Sequence, residues 1–217
     1  MDIKLVVITT FALALSTNTN ASTIVINEFL PNAIGADGGN EWIEFFNNSS
    51  STIDVSGWSI EKATSSYTTF FIFPDGTSIL EGEYLVVGGA NVIDADLNTS
   101  QLGLGNAASS GDALRLADTL NNVIDTVIYG PNNNDGFFDD LNNVALSFAP
   151  APNAGQSLGR FLNGVDTGNS GNDFIAFDNS SFGRSNNIST VPVPASAWLF
   201  ASGLIGIAGI AKRKKNM

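Results

Sequence analysis

Short apolar runs alternate with polar turn clusters through the middle of this 217-residue chain. The runs are rich in Ile, Val, Phe, Trp and Tyr, strong helix formers are scarce, and the intervals are rich in Asn, Gly, Ser and Thr. That pattern predicts an all-β sandwich of about eight strands. They fall near Thr23 to Leu30, Trp42 to Asn47, Ile53 to Glu61, Thr68 to Phe73, Tyr84 to Gly88, Ala113 to Ala117, Val123 to Tyr129 and Ser157 to Leu162. Turns are expected at Asp37-Gly-Gly39, Pro74-Asp-Gly76, Glu81-Gly82, Thr119-Leu-Asn-Asn122 and Asn134-Asp-Gly136. Pro131 to Gly155, rich in Asn and Ala, reads as a surface excursion. Trp42 and Trp58 are expected to point inward.

Both ends break this pattern. Lys4 begins a short n-region, Leu5 to Leu15 is apolar, and Thr19-Asn20-Ala21 offers small residues, which predicts a signal peptide over 1–21 cleaved between Ala21 and Ser22. Asp2 is out of place in a region that ought to be positive. The sandwich is expected over 22–186, with 187–194 as linker and sorting box. At the far end, residues 195–211 carry no charge, just long enough for a helix to cross a hydrocarbon core. Lys212, Arg213, Lys214 and Lys215 follow within the basic tail 212–217, which places the C-terminus in the cytoplasm and the sandwich outside. Gly203, Gly206 and Gly209 give the predicted transmembrane helix a stripe for close approach by another helix.

Loss of both ends would leave Lys62, Arg115, Arg160 and Arg184 against 20 acidic residues, a net charge of −16. A field of that sign repels nucleic acid and anionic membrane and favours solubility. The chain has no cysteine, so no disulfide holds it, and no histidine. Ser-His-Asp and Cys-His catalysis and the usual zinc ligands are thereby excluded. Only carboxylate chemistry remains. Glu28, Glu41 and Glu44 lie on two consecutive predicted strands, but Glu41 and Glu44 are three apart and should face opposite sides.

Two candidate ligand sites stand out. Asp94, Asp96, Asp135, Asp139 and Asp140 lie on predicted loops and offer the hard oxygens that Ca²⁺ prefers, although the spacing fits no EF-hand. No cofactor is required by this reading; calcium is the candidate ion. Phe137 and Phe138 sit in a polar loop, where an exposed pair would stack on a sugar ring.

Two resemblances follow. Val191-Pro192-Val193-Pro194-Ala195, Trp198-Leu-Phe200, Ser202-Gly-Leu204 and the Lys-Arg-Lys-Lys ending resemble the PEP-CTERM sorting signal of Gram-negative bacteria, in its VPxPA variant. That resemblance implies recognition by an exosortase-type membrane protease or transpeptidase. It also implies delivery to the cell surface or the exopolysaccharide matrix, with exopolysaccharide or other surface proteins as partners. Ile26-Asn-Glu-Phe29, Glu41-Trp-Ile-Glu44, Ile53-Asp-Val-Ser-Gly-Trp58, Phe73-Pro-Asp-Gly-Thr77 and Glu83-Tyr-Leu-Val-Val-Gly88 are similar to the lamin-tail domain in its bacterial form. So are Asp112-Ala-Leu-Arg-Leu116, Val123 to Tyr129, Gln156-Ser-Leu-Gly-Arg160, Asp166-Thr167, Asp173-Phe174 and Gly183-Arg-Ser-Asn186. Phe182 stands where that family usually has Pro. The resemblance implies an immunoglobulin-like β-sandwich that serves as a binding or accessory module without an agreed catalytic centre. The expected function is therefore a non-enzymatic, exported surface or matrix protein. The alternatives are a secreted carboxylate-based or Mg-dependent hydrolase or nuclease, and an envelope-anchored scaffold recruiting a separate enzyme.

Overall fold

A computed structural model describes residues 23–186 apart from residue 101. The expected signal peptide, linker, sorting box, apolar span and basic end lie outside the described residues. Among the described residues, no helix is long and apolar enough to cross a membrane.

Twelve strands and one helical turn make up the described chain. One sheet contains six strands: β1 (Ile24–Leu30), β2 (Trp42–Asn47), β7 (Tyr84–Gly89), β8 (Leu97–Thr99), β11 (Ser157–Arg160) and β12 (Phe174–Phe177). Their spatial order is β12-β11-β1-β2-β7-β8. The second contains β4 (Ser59–Ala63), β5 (Tyr67–Ile72), β9 (Asp112–Ala117) and β10 (Val123–Tyr129), in the order β10-β9-β4-β5. A small ribbon pairs β3 (Ile53–Asp54) with β6 (Ser78–Ile79), and α1 (Ser170–Asp173) precedes β12.

Alternation builds the core between the two large sheets. Ile24, Ile26 and Phe29 of β1, Ile43 and Phe45 of β2, Val87 of β7 and Leu158 of β11 meet Ile60, Leu114, Leu116, Val127 and Tyr129 from the other side. The spacing in β1 slips from two to three because Asn27 is an extra residue between Ile26, opposite Phe45, and Glu28, opposite Glu44. Such a bulge re-aims side chains. Without it, Glu28 would enter the core and Phe29 would leave it.

The expected strand Ile53 to Glu61 is two strands separated by the turn at 55–57, where Gly57 takes φ +73°. All five expected turns contain a residue of positive φ: Gly39, Gly76, Gly82, Asn121 and Gly136. Three strands were not foreseen, β6, β8 and β12. The first two have only two or three residues, too few for a period to show.

Trp42 corrects an expectation. It is buried on the outer face of the six-stranded sheet, with its ring 5.0 Å from that of Phe182, whereas Trp58 does pack against the core. The stretch after β10 also differs from a loose excursion. Phe137 and Ala145, with Phe148 partly buried, cover Ala63, Ala113 and Ile128 on the outer face of the four-stranded sheet. Both sheets are therefore covered on both faces over part of their area.

Candidate functional site

Without histidine or cysteine, carboxylates are the most numerous acid–base side chains, and the structure gathers nine of them into three groups. On the outer face of the six-stranded sheet, Glu28 and Glu44 are direct cross-strand partners and both are fully buried. The cover is the C-terminal segment 181–186, called the strap here. Glu28 accepts hydrogen bonds from the hydroxyls of Ser157 and Ser181 and from the Ser181 N–H at 3.0 Å. Glu44 accepts from Asn27 Nδ2 at 2.8 Å and from the Gly183 N–H at 2.6 Å. Asn186 closes the cluster by donating through Nδ2 to the carbonyls of Asn27 at 3.1 Å and Arg160 at 2.9 Å. Gly159 makes room for it, since a Cβ there would lie 2.9 Å from Asn186 Nδ2. Burial pushes the Glu44 carboxyl up to about 7, and the hydrogen bonds from Asn27 and Gly183 oppose that shift.

Arg160 organises the second group. Its side chain is 1 % exposed and points from β11 into the space between the sheets, over the ring of Phe174. Nη2 donates to both oxygens of Asp125 at 2.9 and 2.8 Å, and Nη1 donates to Asp173 at 3.0 Å and Asp166 at 3.4 Å. Nε donates to the carbonyl of Ile26 at 3.0 Å, while Asp125 accepts from the Ile26 N–H at 2.6 Å. Asp125 faces inward in phase with Val127 and Tyr129, just after a bulge at Ile124. Oxygens of Asp125, Asp140 and Asp166 lie within 4.8 Å of one another. Burial raises Asp140 to about 8, helped by the charges of Asp125 and Asp166. Burial likewise raises Asp125 to about 6 against the pull of Arg160. The guanidinium offsets part of the negative charge of the acidic cluster.

Glu41 belongs to the third group. It lies on the inner side, opposite in sense to Glu44, and its Oε2 accepts from the Leu104 N–H at 3.0 Å. Asp112 accepts from the Ala107 N–H at 2.7 Å and Asp37 from Asn106 Nδ2 at 2.9 Å. These three carboxylates pin the segment 104–107 against the end of the sandwich, where Tyr129 donates its hydroxyl to the Gly105 carbonyl at 2.8 Å. Burial raises Glu41 to about 7.

The expected calcium ligands do not meet at one point. Asp94 is exposed, and Asp96 accepts from the Val86 N–H at 2.8 Å beside β7. Asp139 caps its own turn through the N–H groups of Leu141 and Asn143, at 3.0 and 2.9 Å. Asp135 is exposed, and Asp140 turns inward to Asp125 and Asp166. The aromatic pair is split as well: Phe137 is buried against Tyr67, with ring centroids 5.6 Å apart, and only Phe138, 50 % exposed, faces out. Period-two alternation across a loop with positive φ at Gly136 gives no reason for both rings to point the same way.

What the residue-by-residue reading missed is the Arg160 hub. Its parts were quoted for their family resemblance alone: Gln156 to Arg160, Asp166 and Asp173. A lone arginine in a strand flanked by apolar residues, with acids six and thirteen positions later, was the available signal.

The first ten strands, with their carboxylates at the same motifs, fall under a single match: the lamin tail domain model covers residues 17–131. The chain belongs to the lamin tail domain family. Among curated proteins none matches the chain. The lamin tail domain match stops just after β10, yet β11 sits beside β1 in the six-stranded sheet, so the sandwich is closed by residues beyond it. Phe182, where the resemblance leads one to expect Pro, caps Trp42, and Gly183 beside it takes φ +73° while its N–H reaches Glu44.

Proposed function

We propose that this lamin tail domain protein is a non-enzymatic structural or binding module, exported and carried to the cell envelope by its C-terminal segment. One observation supports the non-enzymatic part most strongly. Glu28 and Glu44, direct cross-strand partners in a chain without histidine or cysteine, are covered by the strap and bonded to it. A substrate would have to displace residues 181–186 before touching either acid. Glycosidase chemistry needs its two carboxylates open to opposite sides of a bond and to water.

Delivery rests on the sequence of the tail. The box Val191 to Ala195, the uncharged run 195–211 and the cluster Lys212 to Lys215 occur in the order that an exosortase-type enzyme reads, and 1–21 has the layout of an export signal. The exported domain would then sit on the cell surface or in the matrix. Its acidic surface suits contact with neutral polysaccharide or with other surface proteins and not with nucleic acid.

A screen for glycosidase, esterase, phosphatase and nuclease activity, with and without Mg²⁺, tests the reading. Turnover that disappears in Glu28→Gln would replace it with the carboxylate-hydrolase alternative. Absence of turnover, with the fold verified by melting, is the expected result.

A further inference from the structure

Four strand rims border the two large sheets, and three of them are short or covered. β8 has only three residues and β12 only four. The β10 rim is covered by backbone at Ala149: Gly130 donates to the Ala149 carbonyl at 2.9 Å and Ala149 donates to Ile128 at 2.8 Å. Ser170 Oγ accepts the Ile128 N–H at 3.0 Å.

β5 is different. It is the outermost strand of the four-stranded sheet, and no described strand lies on its far side. Its six residues, Tyr67-Thr-Thr-Phe-Phe-Ile72, contain no charge and no proline. Thr68, Thr69 and Ile72 are exposed, Ile72 to 61 %. The usual guards of a free edge are an inward charge, a lysine, a proline or a bulge. Here the only one is the bulge at Phe70, which lies between the pairs Glu61 with Thr69 and Ile60 with Phe71. Tyr67 to Thr69 remain a regular extended stretch.

Charge selects the occupant. Residues 23–186 carry 20 acids against four basic residues, so most approaches between two copies bring acid against acid. Of those four, Arg160 is buried, while Lys62 and Arg115 both stand beside β5. The Lys62 ammonium is 5.1 Å from the Phe70 ring centroid, and the Arg115 guanidinium is 3.9 Å from that of Tyr67. Arg115 pairs with Glu61, and the Lys62 ammonium donates to the Gly103 carbonyl on the side of Glu41. The edge is thus an uncharged strand on an otherwise acidic body, and Glu61 across from Thr69 is neutralised by Arg115. The edge is also self-complementary, because antiparallel pairing about a two-fold axis at Thr69 sets that residue against its own copy with no like charges facing.

We propose that β5 is a self-association edge, through which two copies of this chain join by antiparallel β5–β5 pairing and make their four-stranded sheets continuous. The inference does not depend on how the protein is delivered.

The native chain has no cysteine, so one introduced thiol reports one place. Full-length Thr69→Cys, oxidised gently at micromolar concentration in mild detergent, is expected to form disulfide-linked dimer. Leu146→Cys, at a site 93 % exposed elsewhere, should not. Sedimentation of the cysteine-free chain should show a dimer that Ile72→Lys weakens at least about tenfold without changing the melting curve. Equal cross-linking at both positions would overturn the proposal. So would a chain that stays monomeric, or a dimer indifferent to Ile72→Lys, which would assign association to another part of the chain.

Discussion

Glu44 accepts a hydrogen bond from the backbone N–H of Gly183, 2.6 Å away in space and 139 residues later in the chain. Through this contact and those of Glu28, the strap that leads out of the sandwich is part of the sandwich. Buried carboxylates that look available for chemistry in the sequence serve instead to hold the chain's exit in place. They satisfy the N–H groups of Ser181 and Gly183 and the Ser181 hydroxyl, donors that the strap would otherwise bury unpaired.

Replacing Glu44 by Ala leaves the Gly183 N–H without its carboxylate partner and removes one acceptor from Asn27. The expected loss is about 1–3 kcal/mol of stability. Hydrogen exchange should show the loss concentrated in 181–186, with β9 and β10 unchanged. Phe182→Ala should shift tryptophan emission to the red, because it uncovers Trp42.

Arg160→Met removes the cation from a cluster in which Asp125 is wholly buried. Taking away one partner of a buried ion pair costs about 3–5 kcal/mol. Thermal melting should fall accordingly, and Arg160→Lys should restore little of it, since one ammonium nitrogen cannot reach Asp125, Asp173 and the Ile26 carbonyl together as Nη2, Nη1 and Nε do.

Acidity should stabilise this protein. Glu41 and Glu44 are raised to about 7, Asp125 to about 6 and Asp140 to about 8, chiefly by burial. A carboxyl whose folded pKa lies above its unfolded value binds its proton more tightly in the folded state. Stability therefore falls as pH rises from the unfolded values near 4 through the folded values. The melting temperature at pH 5 should exceed that at pH 8 by at least about 5 °C. A maximum above pH 7 would contradict the protonation assigned to these groups.

Phe137 and Phe138 should separate cleanly. Phe137→Ser places a hydroxyl under the cover of the four-stranded sheet and should cost about 3 kcal/mol. Phe138→Ser should leave stability within about 0.5 kcal/mol. If the exposed ring touches polysaccharide, matrix binding changes in the second variant and folding in the first.

The sandwich was legible because period-two alternation and turn residues agree. Trp42 to Asn47 and Val123 to Tyr129 occupy the expected bounds, and the glycines at 39, 76, 82 and 136 take the positive φ that their turns require. The opposed facing of Glu41 and Glu44 also follows from period two. Alternation fails at the bulges, where Asn27 and Ile124 each shift the register by one residue; the first decides where Glu28 points. The strap was not legible because nothing local in Ser181 to Asn186 marks it as buried. Its carboxylate partners, Glu28 and Glu44, lie more than a hundred residues earlier.

The strap also fixes what a processed protein must retain. Intact mass and terminal peptide mapping of the protein recovered from the surface and medium of its native host test the account most directly. A chain beginning near Ser22 and ending near Pro194, with the strap inside it, is the predicted result. A chain that still contains Trp198 to Lys215 would contradict sorting by cleavage and leave the tail as an anchor alone.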